Sequence, residues 1–196
     1  MTSRAEILDA VRRHLPQSSP LPDLTGPWIT YPDPAAQFAA VLEMIGGRCV
    51  RVANEAELPA QLAQLPEFQS SQRTLSLVPG VASHVDLEAV ADPHDLEDID
   101  FAILRGEFAV AENAAVWVTD AGVRHRVVYF LCQHLALVVP ADRIVNNLAE
   151  GYRRIGFGGP GFGAFIAGPS KTADIEQSLV IGAHGPKSLT VFLVEG

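Results

Sequence analysis

Short, almost wholly apolar runs constrain the fold of this chain more than any other feature of its sequence. Residues 135–139 read Leu-Ala-Leu-Val-Val before Pro140, and residues 189–194 read Leu-Thr-Val-Phe-Leu-Val. Strands that carry apolar side chains on both faces are typical of a parallel sheet covered by helices on both sides. We therefore predict an α/β fold built on a largely parallel sheet.

Helix and strand signals alternate along most of the chain. A capping box, an Asp-Pro pair, a capping asparagine and an Ala-Asp pair predict four helix starts, and these lie at Ser3, Pro34, Asn54 and Ala141. The last of these helices is predicted to continue to Tyr152. Strands are predicted over residues 48–52, 74–78, 101–104, 108–111, 115–119, 135–139, 164–167 and 189–194. This order supports the α/β prediction.

The first part of the chain has a different character from the rest. Residues 17–34 are rich in proline and serine and lack periodicity, and we interpret them as an extended arm anchored by Trp28 and Tyr31. We predict that residues 1–46 form a helical arm that packs on the core. Residues 47–196 are then expected to form a single α/β domain.

The charge and hydropathy of the chain exclude some classes of protein. It carries 23 acidic and 14 basic residues, a formal charge of −9, and has no lysine or arginine run. Nucleic-acid binding is not expected, because neutralising phosphates needs clustered cations. The longest apolar run is too short to span a bilayer, and the first residues lack the apolar centre of a signal peptide. We expect a cytoplasmic protein.

The cysteines and histidines lack the spacing of a metal site. Cys49 and Cys132 lie far apart, whereas an iron–sulfur cluster needs about four thiolates, so we expect no cluster in this chain alone. We interpret both as buried, unreactive thiols. His84 and His94 lie beside and within the acidic residues 86–100, which have no regular ligand spacing. We interpret that stretch as a solvated loop and predict no metal ligand.

A glycine-rich loop at residues 156–161, Gly-Phe-Gly-Gly-Pro-Gly, formally fits the GxGxxG pattern. The dinucleotide-binding version of this pattern follows a strand and opens a helix. Here the loop follows a predicted helix and leads into a predicted strand. We interpret it as a mobile loop and predict no dinucleotide site.

The segment Gly168-Pro169-Ser170-Lys171-Thr172 follows a predicted strand and precedes a predicted helix. Free N–H groups at a helix start, two hydroxyls and the Lys171 ammonium favour an anion. The same residues also suit a plain helix cap, with Asp174 complementing the helix dipole. Sequence spacing leaves both interpretations open.

The segment Gly182-Ala183-His184-Gly185-Pro186-Lys187 is predicted to end that helix and turn into the last strand. A turn of this kind does not require histidine. His184 is therefore a candidate acid, base or ligand, and a histidine bonded to the loop backbone is the alternative. No Gly-x-Ser-x-Gly motif marks a nucleophilic serine.

Together these two segments, between apolar strands, resemble the C-terminal signature of the LUD domain, the lactate-utilisation protein C family. The resemblance extends upstream over residues 108–113, 116–119 and 134–139. Residues 111–115 differ in part from the family pattern Ala-Glu-Thr-Gly-Thr. Ala111 and Glu112 are kept, but Asn113-Ala114-Ala115 follows. The change removes two hydroxyls and a glycine.

The resemblance implies the fold of the sugar-phosphate isomerase and CoA-transferase group, a Rossmann-like three-layer sandwich. It also implies a non-redox component of a system that oxidises L-lactate to pyruvate, with iron–sulfur clusters on partner proteins and no cofactor in this chain. We expect a small anionic ligand, a carboxylate or phosphate, held by residues at the two C-terminal segments with Glu112 opposite. The candidate ligand-binding residues are Glu112, Gly168, Ser170, Lys171, Thr172, Asp174, His184 and Gly185.

Two other functions remain open. The fold group and the Lys171 loop also suit a stand-alone enzyme that acts on a phosphorylated or CoA-linked metabolite. A regulatory module that binds a ligand without turnover is the third alternative. Fold-level analogy does not choose among them.

Overall fold

The described part of the chain contains both helices and strands. The computed structural model describes residues 3–16, 19–156, 158–172 and 180–196. The helices are α1 (Ser3–Arg13), α2 (Pro34–Met44), α3 (Leu58–Leu62), α4 (Pro66–Gln69), α5 (Val128–Leu131) and α6 (Leu148–Arg154). The strands are β1 (Arg48–Val52), β2 (Thr74–Ser76), β3 (Phe101–Arg105), β4 (Phe108–Val110), β5 (Ala115–Thr119), β6 (His134–Pro140), β7 (Ile144–Val145), β8 (Gly163–Ile166) and β9 (Ser188–Val194).

The main sheet has five parallel strands in the order β1-β9-β6-β3-β2. The strand β9 pairs with β6 from Ser188 to Val194 and with β1 from Thr190 to Val194. Between Leu189 and Val194 every side chain of β9 is buried, as a strand between two covered faces requires. The predicted α/β fold with a mostly parallel central sheet is confirmed.

A second, four-stranded sheet has the order β7-β4-β5-β8 and packs against one face of the main sheet. Its β4 runs antiparallel to β5 and parallel to β7. The chain passes from β3 to β4 through Gly106, where a Cβ would lie 2.3 Å from Cγ1 of Val116. The sequence predicts three of these four strands but not that they form a sheet of their own.

The two faces of the main sheet are covered differently. On one face Leu58 and Leu62 of α3 pack against Phe101, Val138 and Phe192. The other face is covered by α2, α5 and the second sheet. Helix α6 then lies on the outer face of the second sheet, over a small apolar cluster around Val110. The layers are those of a Rossmann-like sandwich with an added small sheet.

The continuous helix predicted from Ala141 to Tyr152 is wrong. The structure has a 3-10 turn, then β7, and a helix only from Leu148. Ile144 and Val145 pair with β4, where their backbone groups complete a ladder that a helix would break. Asn147 then begins α6, because its side chain accepts a hydrogen bond from the Glu150 N–H at 2.9 Å.

The first two helices differ in burial. Helix α1 contains no buried residue, whereas Phe38 and Leu42 of α2 lie in the main core. The division at residues 46 and 47 stays a prediction. In the described ranges the longest helices have 11 residues, and none has the length and hydropathy of a membrane-crossing segment.

Candidate functional site

The predicted anion-binding segment forms one side of a short antiparallel pair in the structure. The Ser170 N–H donates to the Pro186 carbonyl at 2.8 Å, and the Thr172 N–H donates to the Val180 carbonyl at 3.1 Å. In return the Gly182 N–H donates to the Ser170 carbonyl at 2.9 Å. The N–H groups of Ser170 and Thr172, which the anion interpretation counts as free, are therefore both bonded.

Lys171 contacts the end of a different helix. Its ammonium donates a hydrogen bond to the carbonyl of Ile45, directly after α2. Gly168 brings the two segments together, because its φ is 71° and a Cβ there would lie 3.3 Å from the Ile45 oxygen. A cation at a helix C-terminus complements the negative end of the helix dipole. Lys171 is therefore exposed and also contacts the end of α2.

Two of the predicted site residues lie side by side. A Cβ on Gly185 would lie 3.1 Å from the Ser170 Cβ, so the glycine allows the two segments to approach closely. His184 is exposed in the same loop. Asp174, together with the helix predicted to follow Thr172, lies outside the described residues. Ligand binding by this group of residues stays a prediction.

The Glu112 side chain contacts the first residue of α6. One of its carboxylate oxygens accepts a hydrogen bond from the Leu148 N–H at 3.2 Å, and its own N–H donates to the Asn146 carbonyl at 3.1 Å. Among the described residues, no hydrogen bond or ion pair joins Glu112 to residues 168–172. Its predicted place opposite Lys171 stays a prediction.

The thiols are protonated at neutral pH. Burial raises the pKa of Cys132 to about 12 and that of Cys49 to about 11, and a protonated thiol is a poor nucleophile and metal ligand. His84 bonds to Thr74 through Nδ1. Across the described ranges, no three or more His, Cys, Asp or Glu side chains group closely enough to hold a metal ion.

A cavity of about 870 Å³ opens between the outer face of the second sheet and the glycine-rich loop. We call it the arginine cavity, because Arg143 and Arg154 are among its lining residues. The other lining residues are Glu107, Phe108, Trp117, Thr119, Ala121, Ile155, Gly156, Gly158, Gly159, Pro160, Gly161, Phe162 and Gly163. It combines cationic, aromatic and backbone groups around one space.

No sequence motif predicts a ligand site at the side chains of this cavity. Arg154 lies with its guanidinium carbon 6.0 Å from the Phe108 ring centre, and its Nη1 donates to the Arg143 carbonyl at 3.4 Å. The Trp117 ring packs on Gly163, where a Cβ would lie only 2.3 Å from the indole. The one signal in the sequence is the pair Arg153-Arg154, which is separated from the glycine-rich loop by Ile155 alone.

A second cavity, of about 820 Å³, lies between α6 and the proline-rich part of the N-terminal arm, residues 19–34. We call it the arm cavity; its lining residues are Leu24, Thr25, Trp28, Glu112, Leu148, Ala149, Tyr152 and Arg153. Asn147 fixes the arm beside it by donating to the Ile29 carbonyl at 2.8 Å. The two cavities share no lining residue, so variants can distinguish them.

Comparison with known families and curated proteins gives a consistent result. Residues 83–194, more than half of the chain, match the LUD domain. Lactate utilization protein C 1 of Bacillus mycoides is 32% identical over 111 residues, which cover 50% of this chain and 47% of that protein. Lactate utilization protein C of Shouchella clausii is 32% identical over 104 residues, which cover 50% and 45%. The chain spans about half the length of the curated relatives it matches.

A solved structure shares the fold. The crystal structure of a DUF162 family protein from Deinococcus radiodurans aligns with 82% of this chain and 96% of that one. The TM-score is 0.58 at 18% sequence identity. Likeness at this identity shows a common fold and does not extend to ligands or chemistry.

Proposed function

Because the chain belongs to the LUD domain family, we propose that it takes part in lactate utilisation, as a non-redox component of a system that oxidises L-lactate to pyruvate. The match of residues 83–194 to the family carries this proposal. Relatives named for lactate utilisation, about 30% identical over half of the chain, support it.

Oxidation of lactate to pyruvate releases a pair of electrons that some group must accept. The chain has two cysteines, Cys49 and Cys132, and an iron–sulfur cluster needs about four thiolates. Burial, partial at Cys49 and complete at Cys132, also raises the pKa of both thiols. We therefore assign the electron-accepting clusters to partner iron–sulfur proteins and propose no cofactor for this chain.

Growth on lactate tests the proposed role. Deleting the gene in the source organism should abolish or slow growth on L-lactate and leave growth on pyruvate unchanged, because pyruvate enters after the proposed step. Expression of the wild-type chain from a plasmid should restore growth on lactate. Normal growth of the deletion strain on lactate as the only carbon source would count against the role.

The proposed partners are tested by their metal content. The tagged chain, purified from lactate-grown cells, should carry with it proteins that contain iron and acid-labile sulfide in similar amounts. A culture grown on glucose is the control for expression of the system. If the lactate-grown complex contains no iron above that of an unrelated tagged protein, the assignment of clusters to partners is wrong.

The small anionic ligand is proposed near Ser170, Lys171, Thr172 and His184. The exposed Lys171 ammonium and the contact between Ser170 and Gly185 support it. Lys171→Ala should weaken the binding of L-lactate or phosphate about tenfold or more, since a hydrogen bond to a charged group contributes about 1.5–3 kcal/mol. The chain's other lysine, Lys187, provides the matched control. Titration calorimetry measures both, and equal affinity of Lys171→Ala and wild type contradicts this site.

A further inference from the structure

We propose that the arginine cavity binds an organic anion larger than lactate, with a phosphate or carboxylate on Arg143 and Arg154 and a flat apolar body over Phe108 and Trp117. The proposal does not rest on the role in lactate utilisation. The lining of this cavity includes no residue of the two C-terminal segments. The support comes from the two arginines, the aromatic wall and the glycines of the loop.

The charge of the cavity differs from that of the whole chain. The chain has a formal charge of −9, yet the lining of this cavity includes two arginines, Arg143 and Arg154, and one acidic residue, Glu107. Among the described residues, no carboxylate oxygen lies within 4.0 Å of either guanidinium. Guanidinium groups bind phosphate and carboxylate through paired hydrogen bonds. Two arginines without carboxylate partners are therefore suited to an anion.

The wall of the cavity offers aromatic surface for the rest of such a ligand. The ring of Trp117 lies 4.8 Å from that of Phe165 and 6.3 Å from that of Phe108 between ring centres. Gly163 leaves room for the indole, because any larger side chain there would overlap it. Trp117 is only partly buried, and it lines the cavity. Aromatic walls with a few placed polar groups are typical of small-molecule sites.

Among the described residues, nothing fills the space beside two glycines of the glycine-rich loop. A Cβ on Gly156 or Gly159 would meet no atom within 4 Å, and neither residue has a positive φ. Packing and backbone conformation therefore do not require glycine at these two positions. Glycine does allow a ligand to approach the loop backbone closely. We infer that Gly156 and Gly159 lie against one side of the bound ligand.

The volume indicates the size of the ligand. Pockets for small molecules and cofactors are about 300–1,000 Å³, and the arginine cavity has about 870 Å³. An ion as small as lactate would leave most of this space to water. A ligand of nucleotide size would reach both the arginines and the aromatic wall.

Fluorescence of Trp117 tests the proposal directly. The chain has two tryptophans, so Trp28→Phe leaves Trp117 as the sole emitter. The probes are AMP and coenzyme A, which combine an anion with an apolar body, and adenosine and inorganic phosphate, which each supply one part. We expect AMP or coenzyme A to change the emission in a saturable way and to bind at least tenfold more tightly than adenosine or phosphate. If neither shifts the emission or the melting temperature at millimolar concentration, the proposal is wrong.

Neighbouring arginines give matched variants. Arg143→Gln and Arg154→Gln should each weaken the better probe about tenfold or more, because each removes a charge-assisted hydrogen bond. Arg153→Gln removes the same charge from the same helix but from the arm cavity, and should change affinity less than threefold, an effect worth about 0.6 kcal/mol. A larger effect at Arg153 than at Arg154 would move the ligand to the arm cavity and overturn the proposal.

The loop provides a test that does not remove charge. Gly156→Ala and Gly159→Ala should leave the melting temperature unchanged, since the added methyl group meets open space. Both should weaken the probe, because the methyl group enters the ligand's side of the loop. Unchanged affinity in both variants contradicts the role given to the loop.

Discussion

At the scale of single residues, Ala114 occupies a conformation that the sequence alone does not reveal. Its φ is 52°, in the left-handed region, at the position where the family pattern has glycine. This conformation costs an L-residue about 1–2 kcal/mol, whereas the buried methyl group contributes about 0.8 kcal/mol. The two terms oppose each other and differ by about 1 kcal/mol or less. We expect Ala114→Gly to change the free energy of unfolding by less than about 1 kcal/mol in a urea titration.

Ala109 is the control for this prediction. It is as buried as Ala114 and lies in the same core, but it belongs to the regular strand β4. Ala109→Gly loses the methyl group and gains backbone freedom in the unfolded chain, with no strain to relieve. We expect it to lower stability by about 1 kcal/mol more than Ala114→Gly does. Equal losses in the two variants would show that Ala114 carries no strain.

Lys171 shows how a residue's neighbours decide its energetic effect. In the sequence it stands before a predicted helix, where a cation is unfavourable, but in the structure it contacts the end of α2. Because a cation at a helix C-terminus contributes about 0.3–1 kcal/mol, Lys171→Ala should lower the free energy of unfolding by that amount. Thermal unfolding at low salt measures it. Lys187→Ala, which removes the other lysine, should have the smaller effect, and the reverse order contradicts the contact.

His134 predicts a dependence of stability on pH. Its Nδ1 lies 2.8 Å from the Ser188 hydroxyl, and burial lowers its pKa below the ordinary 6.5, although Glu67 and Asp100 act in the opposite direction. Below about pH 6.5 the unfolded chain therefore binds more protons at this residue than the folded chain does. Its contribution to stability is present above that pH and is lost as the pH falls.

Melting curves between about pH 7.5 and about pH 5.5 test this sign. His134→Asn keeps a hydrogen-bonding group near the position of Nδ1 but does not titrate. We expect the melting temperature of wild type to fall more on acidification than that of His134→Asn. A larger fall in the variant would mean that the folded-state pKa is raised instead.

At the scale of elements, the N-terminal arm is held by the residues that begin α6. Asn147 accepts the Glu150 N–H and donates to the Ile29 carbonyl, while Asn146 accepts the Tyr31 N–H at 2.9 Å. One asparagine thus begins a helix and holds the arm. The sequence predicts Tyr31 as an anchor of the arm, and in the structure its backbone rather than its ring makes the hydrogen bond.

Replacing Asn147 should affect both the cap of α6 and the attachment of the arm. Asn147→Ala should lower the free energy of unfolding by about 1–2 kcal/mol, from the lost cap and the lost bond to the arm. It should also make residues 19–30 more sensitive to limited proteolysis. Asn54→Ala removes a cap of the same kind at an exposed site, where Asn54 accepts the Ala56 N–H. That variant should leave cleavage of the arm unchanged, and equal cleavage in both variants contradicts the attachment.

Strands were more predictable than the segments between them. The strand predicted at residues 115–119 has those bounds in the structure, and the main-sheet strands differ by a few residues at most. Local pattern suffices there, because burial on both faces selects apolar runs. The Ile144–Val145 strand could not be predicted, because two apolar residues at helical spacing from Leu148 and Tyr152 also fit a helix. Pairing with β4, a long-range contact, decided the outcome.

At the scale of the whole molecule, the layers were predictable and the cavities were not. The order of elements predicts a largely parallel sheet covered on both faces, whereas the arginine cavity depends on how the second sheet packs. Its cationic, aromatic and glycine residues come from β4, β5, the turn before β7, and both ends of the glycine-rich loop. From the sequence, that loop is interpreted as a mobile loop and not as a dinucleotide site. The sequence gives no sign that Arg143 lies beside this loop.

The position of β9 has a consequence for how the chain acquires its structure. This strand comes last among the described strands, yet it lies between β1 and β6 and is the sole main-sheet partner of β1. During synthesis, β1 must therefore wait for more than a hundred residues to emerge before its backbone groups find their partners. Such long-range pairing slows folding and leaves strand edges open to aggregation. In pulse-labelled hydrogen exchange, the amides of β1 and β9 should gain protection in the same late phase, and a newly made chain that has not yet reached residue 188 should depend on chaperones to keep β1 covered.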